Sequence, residues 1–399
     1  MDKFTRYLKD VWSLTQAQFQ PKKAAHLNVV MGNVSGDMDS VVCSILLGYY
    51  LTYKHKFYEE TKEDIDPENV GEEQIKKFHV PILNMNKVDL DARSDIIMHL
   101  ENVGVDHKHI PAYDEIDVKH YAENGALGVS LVDHNFPDYT QEYMIPHVEY
   151  IYDHHHEKEA EYPNLKFKDI RFCGSAGTLV AKALLEDEDW KDELVDETVA
   201  WFASAPILID TVNFKEAQRG KKWDQVDEDT FKLVKAKAGD KIPENYFRTL
   251  YEEKTDPQKN VDLGFHLLQR KDYKNYKMGD LILGISTMFI DLRTCVEKFG
   301  GDNMIEEFNK ILDERNLSMY MILTHYEENH DVRRQVLTYS RDKDLADKLI
   351  SLFDHLEVLD LEEMKLDKLE DNDHIKVWQN HSTSYSRKKI EPHIRKHFE

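Results

Sequence analysis

HLNVVMGNVSGDMDSVVCSILLGYYLTYKHK, residues 26–56, decides the fold. The run His26-Leu27-Asn28-Val29-Val30-Met31 is short, apolar and closed by Gly32, the pattern of a strand buried on both faces of a parallel sheet. After the loop from Gly32 to Asp39, residues 40–56 place apolar side chains at helical spacing, with Asp39 or Ser40 positioned to cap them. Strand, loop and helix make one βα unit, and the chain repeats it. FHVPILNM (78–85), ALGVSLVDHN (126–135), VEYIYDHHH (148–156) and LKFKDIRF (165–172) read as strands. DARSDIIMHLENVG (91–104), CGSAGTLVAKALLEDE (173–188) and DETVAWFASAPILID (196–210) read as helices. Alternating strands and helices imply an α/β domain with a doubly wound, mostly parallel sheet.

Further along, composition turns polar between Trp223 and Thr255, with Gly239, Pro243 and Asn245 as turn formers, which predicts a linker at residues 236–246. Residues 1–235 then form the first domain and 247–399 a second, smaller α/β domain with a mixed sheet. Its strands are expected at 279–289, 318–326 and 333–340, with an amphipathic helix at 342–356. A length of 399 residues accommodates two or three domains at roughly 100–200 residues each.

Asp and Glu outnumber Lys and Arg by 76 to 52, a formal charge of −24. Affinity for a phosphate backbone rests on Lys and Arg, so a DNA-scanning protein or a binder of anionic membrane is disfavoured. Cys43, Cys173 and Cys295 are odd in number and far apart, which indicates neither a disulfide framework nor a zinc-thiolate site. The stretch MDKFTRYLKDVW has no apolar core of a signal peptide, and no apolar run reaches bilayer length. A soluble, cytoplasmic protein is expected.

Chemistry concentrates at strand ends. Asp37 and Asp39 lie in the loop leaving the first strand; Asp133 and His134 end another; Asp153, His154, His155 and His156 end a third; Asp210 closes the apolar run APILID. In open α/β sheets, ligands bind beyond the carboxyl ends of the strands. Carboxylates with some imidazole and no thiolate suit two hard divalent cations, Mg²⁺, Mn²⁺ or Co²⁺. A pair of such ions, about 3.5–4 Å apart, clamps an attacking oxygen and a phosphoryl group, which points to phosphoester or phosphoanhydride hydrolysis. Neighbours on a strand alternate in direction, so the three histidines cannot all serve, and His156 is the weakest candidate. His134 is open between a partner of a metal ligand and a surface residue. In the second domain, Arg387, Lys388 and Lys389 follow Ser386, a cluster suited to phosphate by fork and point charge. Lys274 precedes a predicted strand.

GNVSGDMDS, LVDHN, YDHHH and ILIDTVNFK, in this order, resemble the four metal-binding motifs of the DHH phosphoesterase superfamily. KDYKNY and SRKK resemble its DHHA2-type substrate-binding domain. Within the superfamily the likeness is closest to fungal cytosolic exopolyphosphatases, with family II inorganic pyrophosphatases as nearest relatives. The resemblance implies that Asp37 binds one ion and Asp39 the other, that Asp133 bridges both, and that His154 and Asp210 complete the second site. It assigns catalytic roles to Asp133 and His155, with His155 facing the substrate phosphate, and places Lys274, Arg387 and Lys388 on the phosphates across an interdomain cleft. The first motif departs from the pyrophosphatases by carrying Asn33 where they have a histidine ligand; an amide oxygen is harder and weaker, so Mg²⁺ is favoured there and Asn33 is a candidate ligand. The expected protein is therefore a monomeric exopolyphosphatase acting on inorganic polyphosphate. A pyrophosphatase is the alternative, and a DHH-type single-strand nuclease or a non-catalytic regulatory binder are further readings. A nuclease needs a basic channel with stacking aromatics, which this acidic chain lacks outside the SRKK cluster.

Overall fold

The computed structural model describes residues 2–17, 26–59, 70–329 and 331–398. By packing, the chain divides into two compact units, Met1–Lys254 and Thr255–Glu399. The stretch 236–246, where polar composition had suggested a linker, packs within the first unit. Its last residue, Tyr246, is buried, and its hydroxyl meets His99 Nδ1 at 2.6 Å.

The first unit is built on a five-stranded sheet of β1 (Leu27–Met31), β2 (His79–Ile82), β3 (Leu127–Val132), β4 (Val148–Asp153) and β5 (Phe167–Ile170). The order is β2-β1-β3-β4-β5 and every pairing is parallel. β1 and β3 are buried along their whole length, which explains their unbroken apolar reading. Chain order steps from β1 out to β2 on one side and returns to β3 on the other. The fold therefore has its switch point between β1 and β3, where loops leave a crevice for ligand.

The helix after β1 spans Met38–Lys54 and is capped by Asp37, whose side chain accepts from Ser40 N. The sequence had placed the cap at Asp39 or Ser40. Because residues 38–40 are already helical, Asp39 falls inside the first turn, and its carboxylate points to a different helix. An N-terminal helix, Lys3–Ala17, was not anticipated; it sets Phe4, Tyr7, Val11 and Leu14 at helical spacing into the first unit's core.

The second unit carries β6 (Tyr273–Met278), β7 (Leu281–Met288), β8 (Met319–Thr324), β9 (Tyr326–Glu328), β10 (Asp331–Tyr339), β11 (Leu361–Met364) and β12 (Ile375–Asn380). The order β11-β12-β10-β8-β7-β6, with β9 on β10, makes a mixed sheet in which β7 and β8 are parallel and the other pairs antiparallel. Separate apolar clusters contain the helices on either side. Leu292–Phe299 and Gly301–Glu314 contribute to one, and Lys343–Asp354 and the terminal helix Arg387–Phe398 to the other. The strands at 279–289, 318–326 and 333–340 were legible as apolar runs; β6, β11 and β12 were not. No helix of the described residues is long and apolar enough to cross a membrane.

Candidate metal centre

Asp133 leaves the end of β3 in the left-handed backbone region, φ 58°, which is costly for a residue with a Cβ. The conformation turns its carboxylate back under the loop that follows β1. Ser40 Oγ donates to Oδ2 at 2.7 Å, Asn33 Nδ2 to the same oxygen at 2.5 Å, and His154 Nε2 lies 3.2 Å from Oδ1. Asp133 is 2 % exposed, and burial together with the charge of Asp37 pushes its pKa up to about 7.

Beside it, Asp39 is equally buried and held by four donors. Cys43 Sγ reaches Oδ1 at 3.2 Å, Ser175 Oγ reaches it at 2.9 Å and Gly177 N at 2.8 Å, while Ala176 N reaches Oδ2 at 2.7 Å. The last three donors sit at the N-terminus of the helix Ala176–Glu186, where backbone amides and the helix dipole favour an anion. Even so, burial and the nearby Asp133 carboxylate raise the Asp39 pKa. Asp210 ends the helix Glu197–Asp210 and is raised by burial and by Asp39 and Asp37. Directly after it, Val212, Asn213 and Phe214 all adopt positive φ, a left-handed turn that closes the helix.

His154 joins these acids. Its Nδ1 lies 3.0 Å from the Cys173 carbonyl, which can only accept, so Nδ1 carries a proton. Nε2 then faces Asp133 Oδ1 at 3.2 Å and Asp39 Oδ2 at 3.8 Å. Burial disfavours an imidazolium here, but the two carboxylates outweigh it and raise the pKa to about 10. One imidazolium cannot neutralise Asp37, Asp39, Asp133 and Asp210 together, which is why the buried acids remain shifted toward their protonated forms. Protons or bound cations can balance such a set. Divalent cations with oxygen and imidazole ligands fit it, and Asp37, Asp39, Asp133, His154 and Asp210 would hold them.

Asp153, at the end of β4, belongs to the same cluster, although the resemblance assigns it no role. The ligand atoms of Asp133, Asp153, His154 and His155 all lie within 4.8 Å of one another. Asp153 is fully buried; its Oδ1 accepts from His154 N and from His155 Nδ1 at 2.8 and 2.9 Å, and its Oδ2 accepts from Asn135 Nδ2 at 2.5 Å. These donors hold its pKa low although burial opposes them. Asn33 donates from its amide nitrogen to Asp133 and accepts on its oxygen from Ser35 N and Oγ. His134 turns its Nδ1 to the Val132 carbonyl, and His156 is exposed against the Glu157 carbonyl.

In the second unit, Lys274 lies on the edge strand β6 opposite Ile285. Arg387 reaches the same place from the terminal helix, with Nη1 donating to the Asp272 carbonyl at 2.9 Å and Nη2 to Asp272 Oδ1 at 2.8 Å. Lys388 is exposed beside it. The sequence could not show that Arg387 is anchored by an acid 115 positions away.

Residues 258–397 match the DHHA2 domain model. The chain is 26% identical to rat exopolyphosphatase PRUNE1 (Rattus norvegicus) over 295 residues, 74% of this chain and 58% of that one. It is 25% identical to a Schizosaccharomyces pombe protein assigned as an exopolyphosphatase over 381 residues, 92% of this chain and 90% of that one. The fold matches the crystal structure of a Methanococcus jannaschii protein assigned as a family II inorganic pyrophosphatase, with TM-score 0.58 and 16% identity over 93% of this chain and 99% of that one. The chain therefore carries a DHHA2 domain and is homologous to these exopolyphosphatase-named proteins. The match spans about three-fifths of the length of the PRUNE1 relatives, 58% of the rat and 61% of the human protein. At the end of β4 it carries the run YDHHH, in which His154 and His155 both contact Asp133 or Asp153. Ser175 and Cys43 lie outside the quoted motifs, while Ser40 ends GNVSGDMDS and Asp153 opens DHHH without a role assigned to either.

Proposed function

We propose that this chain is an exopolyphosphatase that hydrolyses the terminal phosphoanhydride bond of inorganic polyphosphate and releases orthophosphate. What supports the reading is the set of Asp37, Asp39, Asp133 and Asp210 with His154, whose mutual repulsion and desolvation shift Asp39, Asp133 and Asp210 toward their protonated forms, an excess of negative charge that divalent cations would balance. When bound, such cations neutralise phosphoryl oxygens and activate water. His155 donates from Nδ1 to Asp153, which leaves its Nε2 to meet a substrate phosphate. Lys274, Arg387 and Lys388 hold phosphates with fixed and mobile positive charge, and the Asp272 pairing keeps the Arg387 fork oriented. The names of the PRUNE1 and fission-yeast relatives support polyphosphate as the substrate.

The test is orthophosphate release from long-chain polyphosphate and from pyrophosphate, each with Mg²⁺, Mn²⁺ or Co²⁺. Faster turnover of polyphosphate in at least one cation is expected. Consistently faster turnover of pyrophosphate would replace this reading with a pyrophosphatase.

A further inference from the structure

We infer that Asp227, which none of the motifs includes, is a positioning residue for the cation centre and acts through the turn Cys173–Thr178. The inference rests on reading that centre as a divalent-cation site. Two of the expected ligands are mounted on this one turn. The Cys173 carbonyl fixes His154 through Nδ1 at 3.0 Å, and Ser175 Oγ, Ala176 N and Gly177 N hold Asp39 at 2.7–2.9 Å. A third ligand is adjacent. A Cβ on Gly174 would lie 2.8 Å from Thr211 Cγ2, next to Asp210, and 2.4 Å from the Lys222 carbonyl, so only glycine fits there.

The turn itself is held from behind by Asp227. This residue lies in the first turn of the helix Gln225–Ala238 and has no exposed surface. Its Oδ2 accepts from Gly174 N at 2.8 Å and Asp224 N at 2.8 Å, and its Oδ1 accepts from Thr178 Oγ1 at 2.6 Å. The carboxylate thus grips both ends of the segment that carries Ser175, Ala176 and Gly177. Partners of this kind fix ligand orientation, and their loss typically weakens metal binding about 10–100-fold. An amide cannot replace the acid, because Asn offers one accepting oxygen where donors arrive at two.

Calorimetric titration of Mn²⁺ into the full chain tests this, with melting followed in parallel by circular dichroism. Asp227→Asn is expected to weaken Mn²⁺ binding about 10–100-fold. Thr178→Val is expected to weaken it by a smaller factor, and Thr178→Ser, which keeps the hydroxyl, to restore it. If Asp227→Asn does not fold, the contrast between Val and Ser at position 178 decides. Folded Asp227→Asn and Thr178→Val proteins that melt lower yet bind Mn²⁺ like the wild type would overturn the inference, since a purely structural acid affects melting alone. A wild type that binds no Mn²⁺ overturns both this inference and the cation centre. One that binds Mn²⁺ but releases no phosphate leaves the mount standing and removes only the substrate assignment.

Discussion

At the scale of single residues, Asp133 is the point on which the centre turns. Its positive φ is stored strain, and strain of about 1–3 kcal/mol persists only where surrounding contacts over-determine it. Those contacts come from Ser40, Asn33 and His154, so two separate segments, the stretch after β1 and the end of β4, hold one carboxylate. Asp133→Ala should lower phosphate release by more than about 100-fold, beyond the loss typical of a group that merely supports a ligand. The protein should stay folded, because the change removes an unfavourable buried charge along with its hydrogen bonds. Wild-type rates in a folded Asp133→Ala protein would remove Asp133 from the centre. Asn33 shows what a motif cannot say. Its substitution for histidine was legible, but that its oxygen is taken by Ser35 and its nitrogen by Asp133 depends on which way the amide packs.

Among the elements, helices position the site through their ends, and one histidine ties two of those helices together. His99, on the helix Ser94–Asn102, donates from Nε2 to the Phe202 carbonyl of the helix Glu197–Asp210 at 3.0 Å and takes the Tyr246 hydroxyl on Nδ1. It is fully buried, and burial lowers its pKa to about 4. The folded state therefore keeps His99 neutral while the unfolded chain protonates near 6.5. Stability from this group is present above pH 6.5 and is lost as pH falls from there toward 4, by roughly 3 kcal/mol. Urea unfolding across that range should show the loss in the wild type and a shallower slope in His99→Gln. Identical slopes would contradict the role. The helix Lys3–Ala17 is readable in principle, from Phe4, Tyr7, Val11 and Leu14 at helical spacing, but the charged residues between them mask that stripe. β6 and β11 were harder to read because edge strands bury one face or less and so lose the apolar run.

Over the whole molecule, the net charge of −24 is felt most where acids are buried together. Asp39, Asp133 and Asp210 have folded pKa values raised above those of an unfolded carboxylate, Asp133 to about 7. Without bound cations, their contribution therefore falls as pH rises from about 4 through about 7. Cations reverse this by binding the ionised form. Excess Mn²⁺ should raise the melting temperature more at pH 8 than at pH 5.5, where protons occupy the carboxylates; cation at 100 times its dissociation constant is worth about 2.7 kcal/mol. An equal rise at both pH values would show that the ions bind elsewhere. The same acidity that disfavours a DNA partner is compatible with a phosphate-chain substrate only through local positive charge, at the cation centre and around Arg387.

What the sequence by itself determined is the class of fold and the row of acids and histidines at its edge. Parallel strands must be buried on both faces, so they print as apolar runs, and the loops at their carboxyl ends must carry the chemistry. What only the tertiary structure decided is how those side chains are held. That Asp39 accepts from the first amides of the helix Ala176–Glu186, that Asp153 orients His155, that Arg387 is anchored by Asp272 and that Asp227 grips the turn holding Asp39 and His154 are all contacts of single polar atoms, most of them between residues far apart in the chain. Periodicity records which face of an element is buried. It carries no information about which distant donor a buried carboxylate will meet.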